Sequence, residues 1–216
     1  MIKGAIFDMD GLLFDTERLF RESWTVMAER FGKVPRTDFP AAVAGTSGEH
    51  MLEVVRAYYP DVDAKEFVRC TAARVGELVS RDVPEKPGVH EILDYFRECG
   101  MKLAVASSSS RAMIDNNLGS AGIGHYFDVI VSGEEVEHGK PEPDIFLLAA
   151  KRLGCMPQEC YVFEDGINGA RAGVAAGCAT VMIPDEVPPT KDLLSGCAGI
   201  FKSLTEAKEA IKAGRL

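Results

Sequence analysis

From residue 88 to its end the chain alternates between helix-like and strand-like segments, and no other feature constrains its fold as strongly. Apolar runs of strand length stand at Lys102–Ala106, Phe127–Val131, Cys160–Phe163, Ala179–Ile183 and Ala198–Phe201. Helical patterns occupy His90–Cys99, Arg111–Leu118, Asp144–Leu153, Ile167–Ala176 and Leu204–Ala213. Strands that alternate with helices are joined by right-handed crossovers and pair in parallel. The expected fold class is therefore α/β, a Rossmann-like parallel-sheet core. A further buried strand is expected at Gly4-Ala5-Ile6-Phe7, with Gly11 marking the turn that leaves it. Residues 15–86 hold few strand-like runs. There Leu19, Phe20, Trp24, Met27 and Phe31 recur at helical spacing behind Thr16, a capping residue, and Gly48–Tyr59 and Asp63–Ser80 read as two more helices. Pro84 and Pro87-Gly88 bracket a linker. The expected organisation is a core of residues 1–14 and 87–216 with a helical domain, 15–86, inserted after the first strand.

The first strand ends in Asp8-Met9-Asp10-Gly11. Two carboxylates at the tip of a buried strand are costly unless compensated, because an unpaired buried charge costs several kcal/mol. A hard cation such as Mg²⁺ compensates them and keeps positions open for phosphate. A solvated Asp-x-Asp turn explains the same residues, and taken alone the two readings balance. Three other strand or loop ends shift the balance: Ser107-Ser108-Ser109-Ser110, Gly139-Lys140-Pro141-Glu142-Pro143 and Glu164-Asp165-Gly166. In an open parallel sheet ligands lie outside the carboxyl ends of the strands. Folding can thus gather Asp8, Asp10, Ser107, Lys140, Glu164 and Asp165 in one crevice. That set offers a carboxylate nucleophile, an acid/base group, a hydroxyl, an ammonium and metal ligands, the parts of a phosphoryl-transfer site.

On these residues the sequence resembles the haloacid dehalogenase-like superfamily of phosphotransferases. Asp8-Met9-Asp10-Gly11-Leu12-Leu13-Phe14-Asp15-Thr16-Glu17 looks like its first motif and Ser107 like its second. Lys140 in Gly-Lys-Pro-Glu-Pro-Asp looks like the third, and Glu164-Asp165-Gly166 like the fourth. Order and spacing match the branch with a small helical cap inserted after the first motif, which includes β-phosphoglucomutase, phosphoglycolate phosphatase and sugar-phosphate or pseudouridine-5′-phosphate phosphatases. The resemblance implies that 15–86 is a cap closing over the core and supplying specificity. The implied specificity loop is Ala44-Gly45-Thr46-Ser47-Gly48-Glu49, with Gly45, Thr46, Ser47 and Thr16 among the substrate-binding residues. Arg69 and Arg74 are more distant candidates, each weighed against a plain solvated helix residue.

Each core residue then carries an expected role. Asp8 is the nucleophile, forming an aspartyl-phosphate once desolvation, orientation and Mg²⁺ make in-line attack feasible. Asp10, two residues on, faces the same side and serves as acid and then base. Ser107 and Ser108 bind phosphate together with backbone N–H groups at the start of the next helix, unless the run is a flexible loop with capping duty. Lys140, held between Gly139 and Pro141, neutralises charge shared by Asp8 and the phosphoryl oxygens. Asp8, Asp10 and Asp165 are expected at the metal, with Glu164 binding directly or through water. The acidic pair also suits the start of the Ile167–Ala176 helix.

Composition narrows the alternatives. A net charge of -9 argues against a nucleic-acid surface, which would be basic. No apolar run reaches membrane-spanning length, and residues 1–7 lack a signal peptide's apolar core. The six cysteines form no C-x-x-C pair and read as reduced thiols, and the cytoplasm is the expected address. The resemblance implies a small phosphorylated metabolite as substrate, and a monomer suits a cap that must move. Gly166, Gly169, Gly173 and Gly177 lack the G-x-G-x-x-G pattern and are expected to give close helix–sheet packing instead. A non-enzymatic receiver domain shares the acidic residues, hydroxyl and lysine but is shorter and has no cap. A dehalogenase lacks the carboxylate at Asp10's place. A phosphomutase shares the whole core. The resembling mutases, however, carry a histidine where this chain has Phe20, and an arginine where it has Gly48.

Overall fold

The computed structural model describes residues 1–216 except 45, 47, 82 and 186. It divides into two units, residues 1–14 with 85–216 and residues 15–84. The first unit is built on β1 (Gly4–Phe7), β2 (Lys102–Ser107), β3 (Val129–Ser132), β4 (Cys160–Glu164), β5 (Ala179–Met182) and β6 (Gly199–Ile200). Their order is β3-β2-β1-β4-β5-β6, and every neighbouring pair is parallel. The second unit contains α1 (Thr16–Arg30), α2 (Phe39–Val43), α3 (Gly48–Tyr58) and α4 (Ala64–Val79). Helices α5 (Val89–Glu98), α6 (Arg111–Ser120), α7 (Asp144–Leu153), α8 (Ile167–Ala175), α9 (Lys191–Gly196) and α10 (Leu204–Lys212) belong to the sheet unit.

Strand order is what places the site. The chain runs outward from β1 through β2 to β3, then returns to the other side of β1 with β4 and continues to β6. β1 therefore lies at the reversal point, where the diverging crossovers of a doubly wound sheet leave a crevice. Residues 4–7 are buried throughout, as a central parallel strand must be. On one face Phe7 stacks on Phe163 with ring centroids 4.8 Å apart and meets Phe96 of α5 at 6.2 Å. On the other, Ile6 joins Ala104, Val162, and Ile145, Phe146 and Ala149 of α7. Each of the Phe, Ile and Val side chains among them contributes roughly 1.5–3 kcal/mol by leaving water.

Two glycines of the Gly166–Gly177 series owe their identity to this packing. A Cβ on Gly173 would stand 2.6 Å from Thr180 Oγ1 and 2.9 Å from Val162 Cγ1, so α8 approaches the sheet through its bare backbone. One on Gly169 would stand 1.7 Å from Glu164 Oε1. Close packing, not a dinucleotide loop, accounts for both.

The helical unit closes around aromatic rings. Trp24 stacks on Phe67 at 5.7 Å and meets Phe39 edge-on at 5.5 Å, while Phe39 meets Tyr59 at 5.1 Å. Asp63 caps α4, accepting from the Lys65 and Glu66 N–H groups at 3.0 and 3.1 Å. Phe20 packs at the edge of this core, 6.3 Å from Trp24.

Several boundaries differ from the sequence expectation. Helices α2 and α9, at five and six residues, are too short to show a period. β3 begins at Val129 because Phe127 N–H is taken by Gly124 C=O in a tight turn. The junction between units falls at Pro84 and not 86. Glu85 forms an antiparallel bridge with Phe14 and Lys86 N–H donates to Leu13 C=O at 2.9 Å, tying both residues to the sheet unit. Among the described residues no helix is long and apolar enough to cross a membrane.

All six cysteines are free. Burial pushes the Cys160 thiol up to about 12, with Cys155 and Cys178 adding to the rise, and pushes Cys178 up to about 11. At pH 8 a thiol of that kind holds a thiolate fraction of only about 10⁻³ to 10⁻⁴. A disulfide reagent at pH 8 is expected to label the exposed Cys99 quickly and to reach Cys160 and Cys178 only after denaturant is added. Peptide mapping of the labelled protein reads the result, and equal rates for Cys99 and Cys160 would contradict it.

Candidate active site

Asp8 follows the last residue of β1 and is 7% exposed. Its N–H donates to Phe163 C=O at 3.0 Å, so the ladder between β1 and β4 extends to the acid itself. The chain then turns sharply: Leu13 and Phe14 N–H both donate to Met9 C=O, and Gly11 N–H donates to Phe14 C=O at 2.8 Å. Gly11 has φ +85, in the left-handed region, and a Cβ there would lie 2.3 Å from Asp165 Oδ2. Both conditions exclude a side chain. The bare turn lets Asp165, which follows β4, lean against the turn that follows β1.

Lys140 connects the carboxylates. Its Nζ donates to Asp8 Oδ1, to Glu164 Oε1 at 2.6 Å and to Ala106 C=O at 3.2 Å, which uses its three N–H bonds. It also lies 5.0 Å from the centre of the Phe146 ring. Lysine is rarely this buried unless paired, and its side chain is 8% exposed. Glu164, buried at the end of β4, uses its other oxygen, Oε2, to accept from Gly166 N–H at 3.1 Å. Its carboxylate thus rests on α8 at Gly169 and faces Lys140.

The electrostatics are unbalanced. Burial pushes the Asp8 carboxyl up to about 8; Lys140 opposes the rise, and Glu164 and Asp10 add to it. Burial likewise raises Asp165 well above the usual carboxylate range, with Glu164 and Asp8 adding repulsion. Burial works against the Lys140 charge too, but Asp8 and Glu164 outweigh it and hold the ammonium above its ordinary value. Asp8, Glu164 and Asp165 each offer an oxygen, all within 4.8 Å of one another. A hard divalent cation suits such a donor set by ligand type, number and charge. Asp10, expected among the metal ligands, is outside this set. Its Oδ2 accepts from Ser109 Oγ at 2.7 Å and from Ser107 Oγ at 3.4 Å.

The sheet gathers six of the sequence-derived residues, Asp8, Asp10, Ser107, Lys140, Glu164 and Asp165, around the carboxyl ends of β1, β2 and β4. The serine run divides its work. Ser107 is buried and accepts from Ser109 N–H, Ser108 is exposed, Ser109 meets Asp10, and Ser110 caps α6 through Met113 N–H. Sequence reasoning passed over Ser109 and Ser132. A serine one strand over from Ser107 was the signal for Ser132, but only the β2–β3 register, which pairs the two, gives it meaning. In the helical unit Thr16 begins α1 and is buried, and Thr46 Oγ1 donates to Val43 C=O at 2.6 Å. Gly45 and Ser47 lie outside the described residues. Arg69 is exposed and pairs with Glu66. Arg74 is half-buried, and its Nε has no hydrogen-bond partner among the described residues.

A doubly wound parallel sheet whose central strand ends in Asp-x-Asp, met by a buried lysine and a second acidic pair, defines a class of hydrolase. The chain belongs to the haloacid dehalogenase-like hydrolases, whose family model matches residues 5–183. It is 31% identical over 214 residues to a phosphorylated carbohydrates phosphatase of Thermotoga maritima, covering 99% of this chain and 92% of that one. It is 32% identical over 179 residues to a fructose-1-phosphate phosphatase of Escherichia coli, covering 82% and 94%. A crystal structure of β-phosphoglucomutase from Clostridium difficile superposes with a TM-score of 0.81 at 26% identity, over 99% of this chain and 96% of that one.

Proposed function

We propose that the protein is a Mg²⁺-dependent phosphomonoesterase that acts on a small phosphorylated metabolite, a sugar phosphate or a nucleoside monophosphate, through an aspartyl-phosphate on Asp8. One observation carries this reading: the Asp8 carboxylate is buried at the end of the central strand, bound by Lys140 and crowded by other acids. The named activities of the relatives support it. Asp8, Glu164 and Asp165 would hold Mg²⁺, which supplies countercharge to these carboxylates and to the phosphoryl oxygens.

In the first step an Asp8 oxygen bonds phosphorus while the bond from phosphorus to the leaving oxygen breaks, and Asp10 gives its proton to that oxygen. Lys140 offsets the charge shared by Asp8 and the phosphoryl group. Ser107 and Ser108, with backbone N–H groups near the start of α6, hold the other phosphoryl oxygens. In the second step Asp10 takes a proton from water as the water adds to phosphorus, and the bond to Asp8 breaks to release phosphate. The helical unit takes the role of cap and specificity element. A monomer in the cytoplasm completes the reading, a single copy suiting a cap that must move.

The test is a panel of sugar and nucleoside monophosphates assayed for phosphate release. Turnover is expected to fall to background in excess chelator and to return with added Mg²⁺. Full activity in chelator would overturn the reading.

The likeness to β-phosphoglucomutase favours a second reading, phosphomutase transfer. Against it, Phe20 takes the place of a polar cap residue and packs beside Trp24, where it offers no hydrogen bond. Gly48 likewise replaces an arginine. Given β-glucose 1-phosphate and a trace of the bisphosphate, the protein is expected to release phosphate faster than it forms glucose 6-phosphate. The reverse ratio would promote the mutase.

A further inference from the structure

We propose that Ser109 is a positioning residue that aims the Asp10 carboxylate at the reacting oxygens. The inference rests on the reading of Asp10 as general acid and base. Ser109 Oγ donates to Asp10 Oδ2 at 2.7 Å, whereas Ser107 Oγ reaches the same oxygen only at 3.4 Å. A hydroxyl bonded to one oxygen restricts the rotation of the carboxyl group and so the direction in which it exchanges a proton with substrate and water.

Ser109 is itself built in place. Its N–H donates to the buried Ser107 Oγ at 3.1 Å. Its C=O accepts at 2.7 Å from Ser132 Oγ, a side chain with no exposure to solvent. The β2–β3 register sets Ser107 opposite Ser132 at the ends of the two strands, so the anchor is fixed by the sheet. The loop also runs so close to the exit of β3 that a Cβ on Gly133 would stand 2.9 Å from Ser108 C=O. Capping of α6 needs none of this, because Ser110 already performs it. The alternative that the serine run is a flexible linker is therefore set aside. These bonds hold a hydroxyl at a chosen point beside the acid, and placing a proton donor before reaction is worth most when nothing must rotate.

Ser109 keeps its own proton throughout. The proton that moves is the one on Asp10, given to the leaving oxygen as the aspartyl-phosphate forms and regained from water as it breaks down. A poor leaving group needs that proton; a highly acidic one departs without it. This difference separates positioning of Asp10 from general damage to the site.

The experiment compares kcat/KM, which reports the steps through aspartyl-phosphate formation, for two esters. One is the best sugar phosphate of the panel; the other is 2,4-dinitrophenyl phosphate. Ser109→Ala is expected to lose roughly 10- to 100-fold on the sugar phosphate and little on the dinitrophenyl ester. Ser109→Thr, which keeps the hydroxyl, should recover most of the loss, and Ser109→Cys, of similar size but a weak donor, should follow alanine. Thermal melting of each variant confirms that it is folded. Equal losses on both esters, or undiminished activity of Ser109→Ala on the sugar phosphate, would overturn the proposal. Asp10→Asn separates this from failure of the underlying reading. It should show the same selectivity for leaving group at larger size, and if it loses both esters equally, the acid/base role of Asp10 is what fails.

Discussion

Replacing Asp8 by Asn is expected to abolish turnover while leaving the fold intact. An amide retains the shape and the acceptor for Lys140 but cannot attack phosphorus, and loss of a covalent nucleophile costs at least about 10⁴-fold in kcat. The change should not destabilise the metal-free protein. Asp8 stands at about 8 in the folded chain against an ordinary 3.8, first because of burial and then because Glu164 and Asp10 repel it. A carboxyl raised in the folded state favours folding when protonated, and that benefit is lost as pH rises from about 4 to about 8. The variant, which has no proton to lose there, is expected to match the wild type near pH 4 and to melt above it by pH 8, both measured in chelator. Added Mg²⁺ should raise the Tm of the wild type more than that of the variant, because the ion binds folded protein through the lost carboxylate. Substantial turnover in purified Asp8→Asn protein would remove Asp8 from the nucleophile's role.

The second large effect is expected at a residue that touches no substrate. A methyl group on Gly169 would lie 1.7 Å from Glu164 Oε1, 2.0 Å from Cδ and 2.4 Å from Oε2. Neither side can yield cheaply, since Glu164 is bonded to Lys140 and Gly166, and Gly169 lies inside α8. The carboxylate must move, and Lys140 then loses its 2.6 Å acceptor and its fixed approach to Asp8. Gly169→Ala is expected to lower kcat/KM by about 10²-fold, the scale of a displaced catalytic group, and stability by about 1–3 kcal/mol, the scale of overpacking. Gly173→Ala is the comparison. It collides with Thr180 and Val162, away from the acids, and should lower Tm without a comparable loss of kcat/KM. Wild-type kcat/KM in a folded Gly169→Ala protein would show that Glu164 is free to shift without consequence.

These two positions differ in how far the sequence announces them. Asp8 is legible because the signal is local: an apolar run that stops at two carboxylates and a glycine. Gly169 is visible only as one glycine in a helix that has four nearby. Its importance comes from the rotation of α8 against β4, which presses its Cα against the Glu164 carboxylate: a Cβ there would stand 1.7 Å from Oε1, whereas one on Gly166 would stand 3.7 Å from Oε2. The serines tell the same story. Four in a row promise a hydroxyl near the strand end, but which hydroxyl meets Asp10 depends on the register of β2 with β3 and on the anchor at Ser132.

The alternation of strand and helix, the parallel sheet, the three polar strand ends and the Gly-Lys-Pro loop follow from the sequence itself, because each depends on patterns within a few residues and on handedness rules that hold for any chain. So does the helical character of most of residues 15–84, where Leu19, Phe20, Trp24, Met27 and Phe31 recur at helical spacing; the short α2 is the exception. The tertiary structure alone decided that β1 is the strand at which the order reverses, that Pro84 is the junction, and that Lys140 is shared between Asp8 and Glu164 while Asp10 turns to the serines. These are choices among partners far apart in the chain, made by strand register, helix rotation and the cost of burying a charge without a counterion. No window of sequence contains both members of such a pair, so only the folded chain can choose between them.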